Sequence, residues 1–461
     1  MAVIGAGAVG AAVARELIGL GQTVVLVEAG SDVGSGTSKA NTAILHSGFD
    51  ARPGSLEARL VRRGHARLSA YADAAGVALE RTGALVLAWT EADRAALTPM
   101  RARALENGVD DVTLLGPDEV AALEPHLAPG VRGALRVPGE GIVCPFSLPL
   151  ALATEAVTGG ARLILEAPLA GASRDGEGHL LRVGSEEVRC RLVVNAAGLF
   201  AGEIDAHFGH DHLRVGARRG ELLVFDKLAR PLLRHVLLPI PSERSKGLLV
   251  APTVYGNVLV GATAEDIADP RATDTTPAGL AALRAKAAAV LPGLADEEIT
   301  SAYAGVRAVV PEGDYQIRLD RARALICLGG IRSTGISACM GIAEEVARLA
   351  GEAGLRLAPR ADLAGVTVPY LGELRPRPHA SAEHLARDAA YGRIVCLCER
   401  VSEGEIRDAL EAPIPARTVD GLRRRTRCLM GRCQGFYCLG AVVERIAEAT
   451  GVPAARLLEV P

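Results

Sequence analysis

Cysteine is scarce in this sequence of 461 residues, with 9 copies, and aromatic side chains make up only 3% of it. An odd cysteine count without a recognisable secretion signal argues against a disulfide-stabilised secreted protein. The net charge is −3, which excludes the broad basic surface of a nucleic-acid-binding protein. No apolar run reaches the length of about 18 residues that a membrane-spanning helix requires. We therefore expect a cytoplasmic protein, peripheral at the inner face of a membrane only if a partner holds it there.

Apolar residues and glycine, in contrast, are abundant. Hydrophobic residues make up 49% of the chain, which is enough for a sizeable buried core. The 52 glycines suit loops in which the backbone approaches a ligand closely. At about 150 residues per domain, the length predicts about three domains.

The opening segment, MAVIGAGAVGAAVARELIGLGQTVVLVEAG, predicts a strand, a turn, a helix and a second strand. Gly5, Gly7 and Gly10 give the spacing G-x-G-x-x-G, which permits a tight turn and brings backbone N–H groups to a pyrophosphate. Glu28 lies 18 residues after Gly10, where a carboxylate accepts hydrogen bonds from a ribose. Since strand, helix and acidic residue all fall at the required positions, we predict dinucleotide binding.

Two later segments predict strands that end in small residues. CRLVVNAAGLFAGEI reaches Ala197 and Gly198, and ALICLGGIRSTG reaches Gly329 and Gly330 before an amphipathic helix. Small residues let a bound cofactor lie against a strand end. The stretch between these segments, residues 201–300, contains strand-like runs. We therefore expect a nucleotide domain assembled from separate segments, with a β-rich substrate domain between them.

Five of the nine cysteines lie within 43 residues near the end of the chain: Cys396, Cys398, Cys428, Cys433 and Cys438. Thiolates select zinc or iron–sulfur clusters, and both accept four cysteines. Structural zinc sites favour two C-x2–4-C pairs, and the C-x-C pair of Cys396 and Cys398 departs from that spacing. The spacing alone allows either Cys428 with Cys433 or Cys433 with Cys438 as the C-x4-C pair.

Four ordered segments resemble the FAD-dependent oxidoreductases of the glycerol-3-phosphate dehydrogenase and D-amino-acid oxidase superfamily. They are VIGAGAVGAAVARELIGLGQTVVLVEAG, TSKANTAILHSGFDARPGSLEARL, KGLLVAPTVYGNVLVGATAED and GGIRSTGISACMGIAEEVA. Glycerol-3-phosphate oxidases and dehydrogenases are the most similar members, followed by L-2-hydroxyglutarate dehydrogenases. The resemblance spans about residues 1–350 and implies FAD as the dinucleotide. The chain enters its first strand directly after Met1, where relatives usually carry a few more residues.

The C-terminal segment resembles the bacterioferritin-associated-ferredoxin-like domain, which carries a [2Fe-2S] cluster in anaerobic glycerol-3-phosphate dehydrogenase subunits. Its motif MG-x-CQG-x-x-C matches Cys433 and Cys438 and often lacks a cysteine at the position of Cys428. The resemblance therefore implies a cluster held by Cys396, Cys398, Cys433 and Cys438, with Cys428 as a bystander.

Together the patterns and the resemblance predict an α/β protein of three parts. An FAD-binding Rossmann-like domain is assembled from residues 1–75, 140–200 and 301–356. A β-rich substrate domain takes residues 76–139 and 201–300. A proline-containing linker at 357–391 leads to a small α-helical [2Fe-2S] domain at 392–461.

The resemblance also implies site residues. Those expected to contact FAD are Gly5, Gly7, Gly10, Glu28, Thr37, Ser38, Ala197, Gly198, Gly329, Gly330, Gly335 and Ile336. His46 is the candidate base, because a neutral imidazole accepts protons near physiological pH. Arg307 is the candidate anion anchor, because a guanidinium makes two-point contacts with phosphate or carboxylate, although relatives often continue with proline where this chain has Ala308. Lys246 and Ser333 match other substrate-side positions, and Arg218 either adds positive charge or serves the entry to a strand.

We therefore predict an FAD-dependent dehydrogenase for a small anionic hydroxy compound. The first substrate is sn-glycerol 3-phosphate, oxidised to dihydroxyacetone phosphate, with electrons relayed through the [2Fe-2S] cluster to a quinone, a protein acceptor or a partner subunit. One alternative is an L-2-hydroxyglutarate, other 2-hydroxy acid or amino-acid dehydrogenase on the same scaffold. Another is a C-terminal domain that binds zinc or a cluster and serves assembly or regulation.

Overall fold

The computed structural model describes residues 1–211, 213–241 and 247–459. Within these ranges the strands are β1 Ala2–Ile4, β2 Val25–Val27, β3 Ile44–Leu45, β4 Leu79–Glu80, β5 Ala84–Ala88, β6 Thr113–Leu115, β7 Gly133–Val137, β8 Gly141–Val143, β9 Arg162–Ile164, β10 Leu169–Asp175, β11 Gly178–Val183, β12 Glu186–Cys190, β13 Val193–Asn195, β14 Gly216–Phe225, β15 Val236–Pro239, β16 Leu249–Pro252, β17 Val258–Gly261, β18 Glu265–Ile267, β19 Ile299–Val309, β20 Gln316–Asp320, β21 Leu325–Gly329, β22 Ile394–Cys396 and β23 Val401–Ser402. The helices are α1 Ala8–Gly19, α2 Leu56–Ala74, α3 Glu91–Glu106, α4 Pro117–Leu123, α5 Ser147–Thr158, α6 Ala201–Ala206, α7 Pro277–Val290, α8 Gly335–Glu352, α9 Ala382–Arg387, α10 Glu403–Glu411, α11 Val419–Thr426, α12 Leu439–Thr450 and α13 Ala454–Leu457.

Six strands form the sheet that carries the glycine-rich turns, in the order β20-β21-β13-β1-β2-β9. Strand β1 lies inside this sheet and pairs in parallel with β13 and β2, and β13 pairs in parallel with β21. Helix α1 packs on α8 and α5, and all three residues of β1 are buried, as expected of a parallel sheet between helical layers. Because β1, β13 and β21 run in parallel, their carboxyl ends meet at one edge of the sheet.

The substrate domain is built on a second, larger sheet in the order β18-β14-β17-β16-β15-β5-β7-β6, with β19 paired to β14. The sequence patterns predict residues 301–309 in the FAD-binding domain, but they form part of β19 in this sheet. The physical reason is length, since the eleven residues of β19 find a ten-residue antiparallel partner in β14. In this register Arg218 lies directly opposite Arg307.

Residues 357–391 lie along the body of the protein. Backbone N–H groups of Ala358, Val368 and Glu373 donate to carbonyl oxygens of Leu20, Ala75 and Val254 at 2.9–3.0 Å. These bonds tie the segment to both large domains.

The C-terminal domain consists of the β22–β23 hairpin followed by four helices. A capping box begins helix α10, because the Ser402 hydroxyl accepts from the N–H of Glu405 and the Glu405 carboxylate accepts from the N–H of Ser402. Helix α12 ends at Gly451, whose φ of 72° suits glycine. Within the described residues, no helix has both the length and the hydrophobicity needed to span a membrane.

Candidate active site

A cavity of about 710 Å³ lies where the carboxyl ends of the parallel strands face the substrate sheet. Ten of the twelve residues predicted to contact FAD line it: Gly5, Gly7, Glu28, Thr37, Ser38, Ala197, Gly198, Gly330, Gly335 and Ile336. His46, Arg307 and Ser333 line the same cavity. Lys246 lies outside the described residues. The structure thus brings cofactor and substrate candidates together in one space.

Gly10 and Gly329, the two remaining FAD candidates, are not part of the cavity lining. A Cβ atom on Gly10 would lie 1.8 Å from the carbonyl oxygen of Gly5, and one on Gly329 would lie 2.5 Å from Cδ1 of Leu213. Both glycines therefore serve close packing behind the cavity. Gly5 itself has a φ of 100°, in the region that favours glycine.

Replacing Gly10 by alanine should push helix α1 away from the turn that shapes the cavity. We expect the Gly10→Ala variant to lose most bound FAD and to unfold at a lower temperature, because the methyl group meets rigid backbone. Flavin absorbance per chain and thermal unfolding measure this. The Gly440→Ala variant is the control, since open space surrounds that position on α12. Full FAD content in Gly10→Ala would contradict the packing role.

Glu28 is held in place by the backbone around the glycine turn. One carboxylate oxygen accepts from the N–H of Ala6 at 2.7 Å and the other from the N–H of Gly30 at 2.8 Å. Each oxygen keeps a further lone pair for a ribose hydroxyl. The Ser38 hydroxyl accepts from the N–H of Ala8 at 3.0 Å, which fixes the loop before His46 against the start of α1.

Helix α8 begins at the cavity with Gly335, and its N-terminus has no side-chain cap. Unpaired N–H groups at a helix start favour electron-rich ligand atoms. Thr334, immediately before the helix, donates to Glu57 at 2.7 Å and lies 2.6 Å from the Tyr315 hydroxyl. These bonds fix the loop after β21.

His46 is nearly buried, with 8% of its side chain exposed. The backbone N–H of His46 donates to the Ser337 hydroxyl at 2.8 Å. The ring nitrogen Nδ1 lies 3.0 Å from Oε2 of Glu140. Glu140 did not emerge from the sequence, because it follows a different strand and belongs to no recognisable motif.

Two arginines, Arg218 on β14 and Arg307 on β19, lie opposite each other on neighbouring strands beside the cavity. Arg307 donates to the carbonyl oxygen of Thr263 at 2.9 Å, and Asp266 binds Arg218 with contacts of 2.6 and 3.0 Å. Burial, reinforced by the charge of Arg218, lowers the pKa of Arg307. Like charges in opposed strand positions destabilise a sheet. Asp266 compensates Arg218, whereas Arg307 forms no ion pair among the described residues. The arrangement suits a phosphate or carboxylate group.

The five C-terminal thiols lie together in two groups. Cys396 contacts Cys428 and Cys438, and Cys398 contacts Cys433. Across the described parts of the chain, no three or more His, Cys, Asp or Glu side chains are arranged to hold a single metal ion. A [2Fe-2S] cluster instead takes two thiolates on each iron, so four of these five cysteines would supply its donors. Cys428 is fully buried. Cys428 and Cys438, the two candidates for the fourth ligand, both lie beside Cys396.

The surroundings of two thiols favour the thiolate form that binds metals. A hydrogen bond from Cys428, with backbone N–H groups of Glu399 and Leu429, lowers the pKa of Cys396 to about 5. A hydrogen bond from the backbone N–H of Tyr437 lowers the pKa of Cys433.

Comparison with known proteins decides the family. Residues 1–349 match the family described as FAD dependent oxidoreductase. The chain belongs to this family. Residues 394–448 match the BFD-like [2Fe-2S] binding domain, so the predicted fold class, FAD and the [2Fe-2S] domain are confirmed.

Similar proteins include several that act on glycerol 3-phosphate. The glycerol 3-phosphate dehydrogenase of Caloramator mitchellensis is 33% identical over 456 residues, which are 98% of this chain and 94% of that protein. One subunit of the anaerobic glycerol-3-phosphate dehydrogenase of Escherichia coli strain K12 is 27% identical and covers 95% of this chain and 85% of its own. The dithionite-reduced L-alpha-glycerophosphate oxidase of Mycoplasma pneumoniae, solved with FAD bound, has a TM-score of 0.75 at 25% identity and covers 80% of this chain and 98% of its own.

In this FAD-dependent oxidoreductase, the [2Fe-2S] domain is fixed to the FAD-binding domain by a buried ion-pair cluster. Asp32, in the loop after β2, binds Arg424 at 2.6 Å and Arg425 at 2.6 and 2.7 Å. Burial alone would raise the pKa of Asp32, but the hydrogen bonds and charges of Arg425 and Arg424 lower it overall. Lys39 and Asp420 form a further pair at 3.0 Å between the same domains.

Removing the charge of Asp32 should loosen this junction. We expect the Asp32→Asn variant to lose about 3–5 kcal/mol of the free energy that holds the domains together, because two buried guanidinium groups lose their counter-charge. Thermal unfolding of the holoprotein and limited proteolysis of residues 357–391 measure this. The Asp362→Asn variant, which breaks an exposed pair with Arg360, is the control and should behave as wild type. Wild-type behaviour of Asp32→Asn would contradict the role of this ion-pair cluster.

Proposed function

We propose that this FAD-dependent oxidoreductase oxidises sn-glycerol 3-phosphate to dihydroxyacetone phosphate. The observation that carries the proposal is the cavity, in which the predicted FAD-contacting loops, His46 and Arg307 face one space. The identity to the Caloramator dehydrogenase over nearly the whole chain supports the same substrate.

Three groups of the chain divide the work on the substrate. His46 accepts the proton of the secondary hydroxyl, and Arg307 binds the phosphate with Arg218 opposite it. Ser333 and Lys246 are proposed as further substrate contacts. When bound, FAD supplies a two-electron acceptor and the [2Fe-2S] cluster a one-electron carrier.

We also propose that electrons leave through the [2Fe-2S] domain. Fixed docking of this domain supports the relay. The Arg427 guanidinium lies 4.0 Å from the centre of the Tyr255 ring in the substrate domain, and its Nε donates to Glu399 at 3.0 Å. Since Glu399 and Arg427 each adjoin a cysteine, these contacts hold both cysteine segments against the body.

We propose that a protein partner accepts these electrons. A quinone is the alternative, and assays with each acceptor distinguish the two. Three apolar side chains beside the cysteines are largely exposed: Leu397 at 64%, Phe436 at 83% and Tyr437 at 70%. Exposed aromatic groups are enriched in protein interfaces. Cys398 and Cys433 are partly exposed beside them. The Escherichia coli relative is itself one subunit of a dehydrogenase, which supports a protein partner here.

Anaerobic mixing of the purified protein with substrates tests the proposed reaction. We expect sn-glycerol 3-phosphate to bleach the flavin absorbance, and L-2-hydroxyglutarate and amino acids to leave it unchanged. Bleaching by L-2-hydroxyglutarate alone would instead favour a 2-hydroxy acid dehydrogenase on this scaffold.

Metal and sulfide analysis tests the proposed role of the C-terminal domain. An electron-transferring cluster requires about two irons and two acid-labile sulfides per chain. About one zinc per chain, without sulfide, would instead support an assembly or regulatory module.

A further inference from the structure

Glu140 lies in the turn between β7 and β8, and none of its side chain is exposed. Its Oε1 accepts from the N–H of Ser47 at 2.6 Å and from the Ser47 hydroxyl at 2.8 Å. Its Oε2 lies 3.0 Å from Nδ1 of His46, at an angle outside that of a hydrogen bond, and neither atom has any other hydrogen-bond partner among the described residues. Nε2 of His65 lies 2.8 Å from the carbonyl oxygen of Gly139 and so holds the same turn. The two carboxylate oxygens therefore have different neighbours.

A buried carboxylate is costly unless a partner compensates its charge. Among the ion pairs of the described residues, Glu140 takes part in one, with His46. With Nδ1 beside Glu140, Nε2 is the ring nitrogen left for the cavity that His46 lines. The carboxylate thus lies behind the proposed base, on the side away from the substrate.

We propose that Glu140 is a positioning residue that keeps the ring proton of His46 on Nδ1, so that the lone pair of Nε2 faces the substrate hydroxyl. This inference rests on the proposed function. The hydroxyl proton moves to Nε2, and the hydrogen on the same carbon leaves with its electron pair to oxidised FAD, so that the alcohol becomes a ketone. The carboxylate of Glu140 stabilises the imidazolium that results.

The two bonds from Ser47 make glutamine an informative substitution. In the Glu140→Gln variant, the amide oxygen can still accept both Ser47 bonds, which preserves the structural role of the side chain. The amide NH2 group then faces Nδ1 of His46 and donates to it, which moves the ring proton to Nε2. If Glu140 had a structural role alone, this substitution would leave flavin reduction unchanged. If Glu140 positions the ring proton, the substitution should slow flavin reduction.

Stopped-flow reduction of the flavin by sn-glycerol 3-phosphate measures the kinetic effect. We expect the limiting rate constant of Glu140→Gln to fall about 10²–10⁴-fold, the range of general-base catalysis. FAD content and substrate affinity should stay within twofold of wild type, and the melting temperature should be unchanged. The matched control is Glu124→Gln, because Glu124 is equally buried and lies 2.7 Å from Nδ1 of His235, away from the cavity lining. This control should reduce its flavin at the wild-type rate.

Nitrogen-15 NMR of histidine-labelled holoprotein reads the tautomer without substrate. The His46 signals are assigned by their loss in His46→Asn, and we expect the proton on Nδ1 in wild type and on Nε2 in Glu140→Gln. A wild-type reduction rate in Glu140→Gln, or a wild-type proton on Nε2, would overturn the inference. If sn-glycerol 3-phosphate fails to reduce the wild-type flavin, the proposed function fails, and the NMR result still decides the role of Glu140.

Discussion

Replacing Arg307 by alanine is expected to lower kcat/KM for flavin reduction by sn-glycerol 3-phosphate about 30- to 5,000-fold. The reason is the loss of a charge-assisted contact in a buried site, worth about 2–5 kcal/mol when one partner is truncated. The carbonyl oxygen of Thr263 accepts a hydrogen bond from Arg307 and holds its guanidinium at the cavity. Stopped-flow reduction over a range of substrate concentrations gives the value.

Two further variants define this result. Arg307→Lys keeps the charge but loses the forked contact, so a smaller loss is expected. Arg321→Ala removes an exposed guanidinium that lies 3.7 Å from Glu352, and should leave kcat/KM unchanged. Equal kcat/KM in Arg307→Ala and wild type would show that the substrate anion binds to other residues.

Replacing Cys433 by alanine is expected to remove the iron while leaving FAD in place. Cys433 lies beside Cys398 and is one of the four proposed ligands, so its loss would leave the cluster with three. Iron, sulfide and the cluster absorbance should fall to background, and substrate should still bleach the flavin. Electron transfer to the physiological acceptor should stop. Intact transfer in an iron-free variant would contradict the proposed relay.

The fourth ligand is decided by a matched pair of variants. Cys428→Ala should retain its iron, at some cost in stability because the position is fully buried. Cys438→Ala should lose it. The opposite pattern would assign the ligand to Cys428, which also lies beside Cys396.

The glycine turn and the cysteine segments were predictable from the sequence because their signals are local. Gly5, Gly7 and Gly10 lie within six residues, and the capping pair of Ser402 and Glu405 within four. Each of these patterns is set by backbone geometry that a short segment fixes by itself.

The partners of the site residues could not be predicted in this way. Glu140 reaches His46 from the turn between β7 and β8, and Arg425 reaches Asp32 across 393 positions of sequence. Such contacts depend on how whole domains pack, and the sequence around a single glutamate or arginine does not indicate which residue it will contact. Strand β19 was misplaced for the same reason, since only the pairing with β14 reveals its sheet.

The buried pairs of Asp32 have a consequence for the timing of electron transfer. A domain that swings between two docking positions transfers electrons at a rate set by diffusion, and added glycerol or sucrose slows it. Here the cysteine domain is anchored at Asp32, Lys39 and Tyr255, three separate points of the body. The proposed transfer from flavin to cluster should therefore proceed at the same rate in water and in viscous solution.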